Sequence, residues 1–169
     1  MHDDEAPQLL SWVPRLRRYA RALASSSEAD DLVQDTLERA WAKAALWPGV
    51  GDMRAWLFGI MHNLHVDALR RPRLPTESLD EDDMPEIPVA PKQDEGLALL
   101  DLQAALDLLP REQKEVLLLV SLEEMSYAEV AQTLGIPLGT VMSRLSRGRE
   151  RLRRLLAGRA EAVHLKVVK

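Results

Sequence analysis

Two stretches of this chain hold side chains at spacings that could do chemistry. The first is "HNLH", which puts His62 and His65 three residues apart with Asp67 close by. Histidines at that spacing share one face of a helix and can hold a metal ion together, but a third ligand would have to come from elsewhere in the chain. Asp67 is equally placed to pair with Arg70 or Arg71 on its own helix. No metal site and no cofactor are expected. The chain has no Gly-rich phosphate loop and no nucleophile motif. It also has no cysteine, which excludes disulfides and thiolate metal sites. No catalytic residues, and no enzyme, are expected. The second stretch is 126–154, "SYAEVAQTLGIPLGTVMSRLSRGRERLRR". Six of its last eleven residues are arginine, in a chain of 169 residues with a formal net charge of −5. Arginine grips guanine O6 and N7 with two hydrogen bonds, and serine or threonine hydroxyls reach bases or phosphates.

The elements that must position these arginines are legible around them. Ser126 followed by Glu129 is a capping box, so a short helix starts there. Gly135 is placed to end it, and Pro137 opens the next helix. Two helices joined by a short Gly-containing turn form a helix-turn-helix. On the second of them Val141, Leu145, Gly148, Leu152 and Leu155 fall on one face, which must pack inward. Ser143, Ser146, Arg147, Glu150 and Arg154 point the other way, with Thr140 and Arg144 on a flank. That face suits base-edge readout, and Arg149, Arg151, Arg153 and Arg154 suit phosphates. A solvated basic face, or a docking site for an acidic partner, reads from the same residues.

Upstream, hydrophobic residues make up 46% of the chain, aromatics only 4%, and strand-type alternation is scarce. An all-α fold is expected. The first block, about 6–72, reads as three or four helices. "LLSWVPRLRRYARALA" is one, irregular at Pro14. "EADDLVQDTLERAWAKAAL" is the second, with Val33, Leu37, Trp41 and Ala44 as a buried stripe. Asp31, Asp35 and Glu38 share the opposite face with Leu32 exposed beside them, a surface for a basic helix pair or an ordinary solvated face. "LWPGVGDM" is a loop. "RAWLFGIMHNLHVDALRR" is the last helix, with Leu57, Ile60, Met61, Leu64 and Ala68 inward and Pro72 stopping it. From Arg73 to Glu95, four prolines, with eight acids between Glu77 and Glu95 against one lysine, predict an extended, flexible acidic linker. The second block opens with an amphipathic helix carrying Leu99, Leu102, Leu106 and Leu109, and then "PREQKEVLLLVSLEEM". The acidic N-terminus is unlike a signal peptide. No apolar run approaches the ~20 residues of a membrane span. A cytoplasmic protein is expected.

"EADDLVQDTLERAWAKA", "DMRAWLFGIMHNLHVDALRR" and "LPREQKEVLLLVSLEEMSYAEVAQTLGIPLGTVMSRLSRGRERLRRLL" occur in this order with a variable linker between the last two. Together they resemble the extracytoplasmic-function (ECF) class of bacterial sigma factors over nearly the whole chain. The resemblance implies two small helical domains: sigma-2 over 1–72 and a helix-turn-helix sigma-4 over 96–160. The linker would run over 73–95, and the tail 161–169 matches nothing in the pattern. It further implies binding to core RNA polymerase, through the β′ clamp helices and the β flap. Asp31, Leu32, Gln34, Asp35 and Glu38 would touch the clamp helices. The single-stranded −10 element would meet Trp47, Met53, Arg54, Trp56, Asn63, Arg70 and Arg71, with Trp56 equally placed for the core. The duplex −35 element would meet Thr140, Ser143, Arg144, Ser146, Arg147, Arg149 and Arg151. An anti-sigma factor is the other expected partner, and the free protein is expected to be a monomer. Two residues depart from the family pattern, Met142 and Gly59, each where an arginine is common. A stand-alone helix-turn-helix regulator accounts for the C-terminal block but not for the acidic helix. A decoy that mimics a sigma domain to bind an inhibitor is a further alternative.

Overall fold

The computed structural model describes residues 5–44, 52–72 and 93–167. Trp47, most of the "LWPGVGDM" loop and residues 73–92 of the linker lie outside the described residues. Among the described residues all regular structure is helical: α1 (Glu5–Ser11), α2 (Val13–Leu23), α3 (Ser26–Lys43), α4 (Met53–Arg70), α5 (Gln93–Asp107), α6 (Arg111–Ser121), α7 (Tyr127–Leu134) and α8 (Leu138–Val167).

The helix expected across Pro14 is two. The chain breaks at Trp12, and Pro14 sits in the first turn of α2, where its missing N–H would have had no helical partner. Asp52 caps α4 by accepting from the Arg54 N–H at 2.9 Å. The linker gives way to helix at Gln93, three residues before the Gly96 expected from composition. At the other end α8 continues to Val167, through most of the stretch read as a tail.

In the N-terminal half, α2, α3 and α4 pack side by side. Leu16, Tyr19, Ala20 and Leu23 meet Ala29, Leu32, Val33 and Ala40, with Leu57, Phe58, Ile60 and Met61 closing the third side. Tyr19 and Phe58 contact edge to face, 5.1 Å between centroids. This packing corrects the expected stripe on α3. Trp41 is 48% exposed, and the buried residues are Ala29, Leu32, Val33, Thr36 and Ala40. Two neighbours, α2 and α4, turn the buried face toward Leu32 and away from Trp41. Leu32 is therefore not an exposed residue. On α4, Leu64 is only partly buried and Ala68 is exposed, because the helix runs out beyond its neighbours.

In the C-terminal half, α6 and α7 pack against α8 through Val116, Leu117, Val130, Leu134, Val141 and Leu145. A Cβ on Gly148 would stand 3.3 Å from the Gln113 Cβ, so α8 crosses α6 where a side chain is missing. On α5, Leu106 is buried, as is Leu109 just beyond it, whereas Leu99 and Leu102 are exposed, so its expected apolar face is covered only at its C-terminal end. The two halves share one continuous core. The α2 helix packs on α6 and α4 on α7.

Candidate nucleic-acid interface

The helix-turn-helix is built from local hydrogen bonds. The Glu129 N–H donates to Ser126 Oγ (3.2 Å), and the Ser126 N–H donates to Glu129 Oε2 (2.6 Å). The Ser126 backbone N–H foremost, then the Ser126 side chain and Arg54, hold the Glu129 carboxyl below its usual range. Gly135 ends α7 in the left-handed region (φ 65°, ψ 38°), where a Cβ would be strained. Three residues later α8 begins, with Val141, Leu145 and Gly148 buried. Ser143, Ser146, Arg147, Arg149 and Arg151 are exposed, and Thr140 and Arg144 are half-buried on the flank. Arg153 and Arg154 both pair with Glu150, at 2.6 and 3.0 Å. Arg144, Arg147, Arg149 and Arg151 have no ion-pair partner among the described residues. The arginines without an ion-pair partner thus lie in the first half of α8, where an inserted helix meets base edges and the nearest phosphates. Met142 is 52% exposed on the same helix.

The residues expected at a single strand do not form one pocket. Met53 is buried in the core at the start of α4 and is corrected from that set. Trp56 is partly buried against the core. Asn63, Arg70 and Arg71 are exposed, but Arg54 and Arg70 are sixteen residues apart, about 24 Å along a helix rising 1.5 Å per residue. Arg54 is only 18% exposed. It donates to Asp52 (3.3 Å), to Glu129 Oε1 (2.9 Å) and to the Glu123 carbonyl (3.1 Å), so its guanidinium is held by the other half of the molecule.

On α3, Asp31, Gln34, Asp35 and Glu38 are exposed, and Gln34 donates to Glu38 at 3.0 Å. Asp31 and Asp35 line a groove of about 280 Å³ with Leu64 and Leu69 of α4. Leu32 lies along it as lining, with too little exposure for an outward contact.

His62 does not join His65 in a shared site. Its Nδ1 lies 2.9 Å from Glu115 Oε1 of α6. Burial lowers the pKa of His65 and favours its neutral ring. No group of three or more histidine or carboxylate ligands stands together among the described residues.

Sequence reasoning missed the set that joins the halves. Glu123 is fully buried and accepts from Arg15 Nε (2.9 Å) and from Arg18 (3.2 Å). The Arg18 guanidinium also donates to the Leu122 carbonyl (3.0 Å), and Arg15 stands 5.0 Å from the Trp12 ring centroid. Lys114 Nζ donates to the Leu23 carbonyl (3.1 Å) and to Asp107 (2.9 Å). No local signal marks Glu123, since the partners of its carboxylate lie more than a hundred residues away.

Comparison with known proteins agrees with this architecture. Residues 9–62 match the family model "Sigma2 domain of PhyR", and residues 99–152 match "Sigma-70, region 4". The chain is 37% identical over 155 residues to the ECF RNA polymerase sigma factor EcfG of Rhodopseudomonas palustris, covering 91% of this chain and 86% of that protein. It is 38% identical over 161 residues to the ECF RNA polymerase sigma factor SigE of Mycolicibacterium smegmatis, covering 87% and 62%. Among solved structures it is similar to the sigma factor RpoE of Bartonella quintana, crystallised with the anti-sigma factor NepR. There the TM-score is 0.76 at 36% identity, covering 92% of this chain and 98% of that one.

Proposed function

The chain belongs to the ECF RNA polymerase sigma factors, and from that premise we propose how its surfaces divide the work of promoter recognition. The observation that carries the reading is the capped α7–turn–α8 unit, whose second helix carries in its first half four arginines without an ion-pair partner among the described residues. The sigma-2 domain spans 1–72 and the sigma-4 domain 96–160, extended at its start by the first turn of α5. The strip Asp31, Gln34, Asp35 and Glu38 docks on basic residues of the polymerase clamp helices, and Leu32 supports it from beneath. The α8 face of Thr140, Ser143, Arg144, Ser146, Arg147, Arg149 and Arg151 meets the −35 duplex. Arg54, Trp56, Asn63, Arg70 and Arg71 follow the −10 strand along α4. The protein acts in the cytoplasm, without catalytic chemistry of its own. No helix among the described residues is long and apolar enough to cross a membrane. An anti-sigma factor holds it inactive. Support for that partner is the similarity to a sigma factor crystallised with NepR.

The test is purification with core polymerase followed by run-off transcription. Promoter-dependent transcripts only when the chain is added are expected. DNA binding without polymerase and no transcript would instead indicate a stand-alone regulator, and binding to neither a decoy.

A further inference from the structure

Three arginines of the N-terminal half, from two helices, converge on one point of the C-terminal half. Arg15 and Arg18 of α2 both donate to the Glu123 carboxylate, and Arg54 of α4 donates to the Glu123 carbonyl. Glu123 is fully buried in this contact, while Arg15 and Arg18 keep part of their guanidinium surface in solvent. Within its own half Arg54 has one carboxylate, Asp52, and Arg15 has the Trp12 ring. Taken away from Glu123 and Glu129, the cluster is a concentrated patch of positive charge. Guanidinium forks match the oxygens of a phosphate as they match a carboxylate. Arg54 stands in the first turn of α4, two residues before Trp56, where on the proposed reading a melted strand would pass.

We propose that Arg15, Arg18 and Arg54 form a binding site for nucleic-acid backbone phosphate, and that Glu123 occupies this site when the two halves are closed on each other. Glu123 supplies a carboxylate, with the Leu122 and Glu123 carbonyls beside it, where a bound strand would supply phosphate oxygens. Strand and C-terminal half therefore compete for the same arginines. Closure is supported by further contacts across the same seam: Glu129 on Arg54, Glu115 on His62, and Lys114 on the Leu23 carbonyl. At Gly59 α4 passes close to α7, where an added Cβ would stand in ordinary contact, 3.5 Å from the Thr133 carbonyl oxygen. The free protein is thus held from single strands by its own acidic residue, and opening uncovers the site. The proposal rests on the sigma-factor reading, and the experiment separates the two.

The chain has no cysteine, so Lys43→Cys and Glu161→Cys accept a pair of dyes that report the separation of the halves. Glu123→Gln keeps the side chain's size and removes its charge. Expected are lower energy transfer and at least about tenfold tighter binding of a single-stranded oligonucleotide by the free protein, both at low salt, where charge contacts are strongest. Adding Arg15→Gln and Arg18→Gln should reverse the gain in binding. Unchanged energy transfer overturns the closure, and unchanged oligonucleotide affinity in an opened chain overturns the phosphate site. Should Glu123→Gln fail to fold by circular dichroism, Arg15→Gln/Arg18→Gln in the otherwise native chain, assembled with core polymerase, decides the site. Losing two phosphate contacts should flatten the dependence of log K on log salt for promoter binding by roughly 1.4, at about 0.7 per single-strand phosphate. An unchanged slope overturns the site. Run-off transcription by the native holoenzyme is read in parallel. No transcript there sinks the sigma-factor reading itself, whereas transcript with an unchanged slope sinks only the phosphate site.

Discussion

At the residue scale, neighbouring charges decide which arginines are free to work. On α8, Arg153 and Arg154 share the single carboxylate of Glu150, whereas Arg147 is exposed and unpaired among the described residues. Arg147→Ala should lower transcription from the native promoter. A bidentate base contact is worth about 1–3 kcal/mol of discrimination. If Arg147 reads a base, changing that base should no longer matter in the variant; an equal loss on every promoter would make it a phosphate contact. On α3, reversing Asp31 and Asp35 to lysine should weaken binding to core polymerase without loss of helicity. Losing one partner of a buried charge pair costs about 2–5 kcal/mol, and these rim-exposed residues belong at or below the lower end. Unchanged affinity at moderate salt would sink the docking assignment. His65 makes a prediction about pH. Burial lowers its pKa from the ordinary 6.5, so the unfolded chain takes up its proton first. The neutral ring's contribution is complete above about pH 6.5 and is lost as pH falls through the folded-state value. Urea midpoints at about pH 7.5 and pH 5.5 should differ more for the native chain than for His65→Gln.

At the scale of elements, α7 stands on its caps. It is eight residues long, too short to be stable alone, so its ends decide whether it presents α8 correctly. Ser126→Ala removes the acceptor of the Glu129 N–H and should cost about 1 kcal/mol. Gly135→Ala places a Cβ at φ 65° and should cost a similar amount, roughly 1 kcal/mol. Both are read as shifts in denaturant midpoint, and a shift near zero for Ser126→Ala would mean the box does not stabilise the fold. The same capping box was legible in sequence because its partners are three residues apart. The buried face of α3 was not. Leu32 and Trp41 are both apolar at helical spacings, and only the positions of α2 and α4 decide which of them is covered.

At the scale of the molecule, the two halves meet along a charged seam and share one core. Gly59 sits on that seam, close to the Thr133 carbonyl. Replacing it with leucine should push α4 off α7 while leaving the rest of each half intact. The radius of gyration by X-ray scattering should rise and thermal unfolding should split into two transitions. One transition at unchanged size would show that the seam tolerates the side chain.

The all-helical class, the two blocks and the helix-turn-helix were determined by sequence alone, because caps, turn glycines and apolar spacing act over three to seven residues. Arg54 could be named as a cation at the start of α4, since Asp52 and the following helix are its immediate neighbours. What the sequence left open is what Arg54 touches. Glu123 and Glu129 lie 69 and 75 residues further along, and no periodicity links them to it. Their meeting depends on how whole helices stack, which is a property of the shared core and not of any local pattern. The tertiary structure alone therefore decided that Met53 and Leu32 are covered, and that Arg15, Arg18 and Arg54 of one half are held by Glu123 and Glu129 of the other.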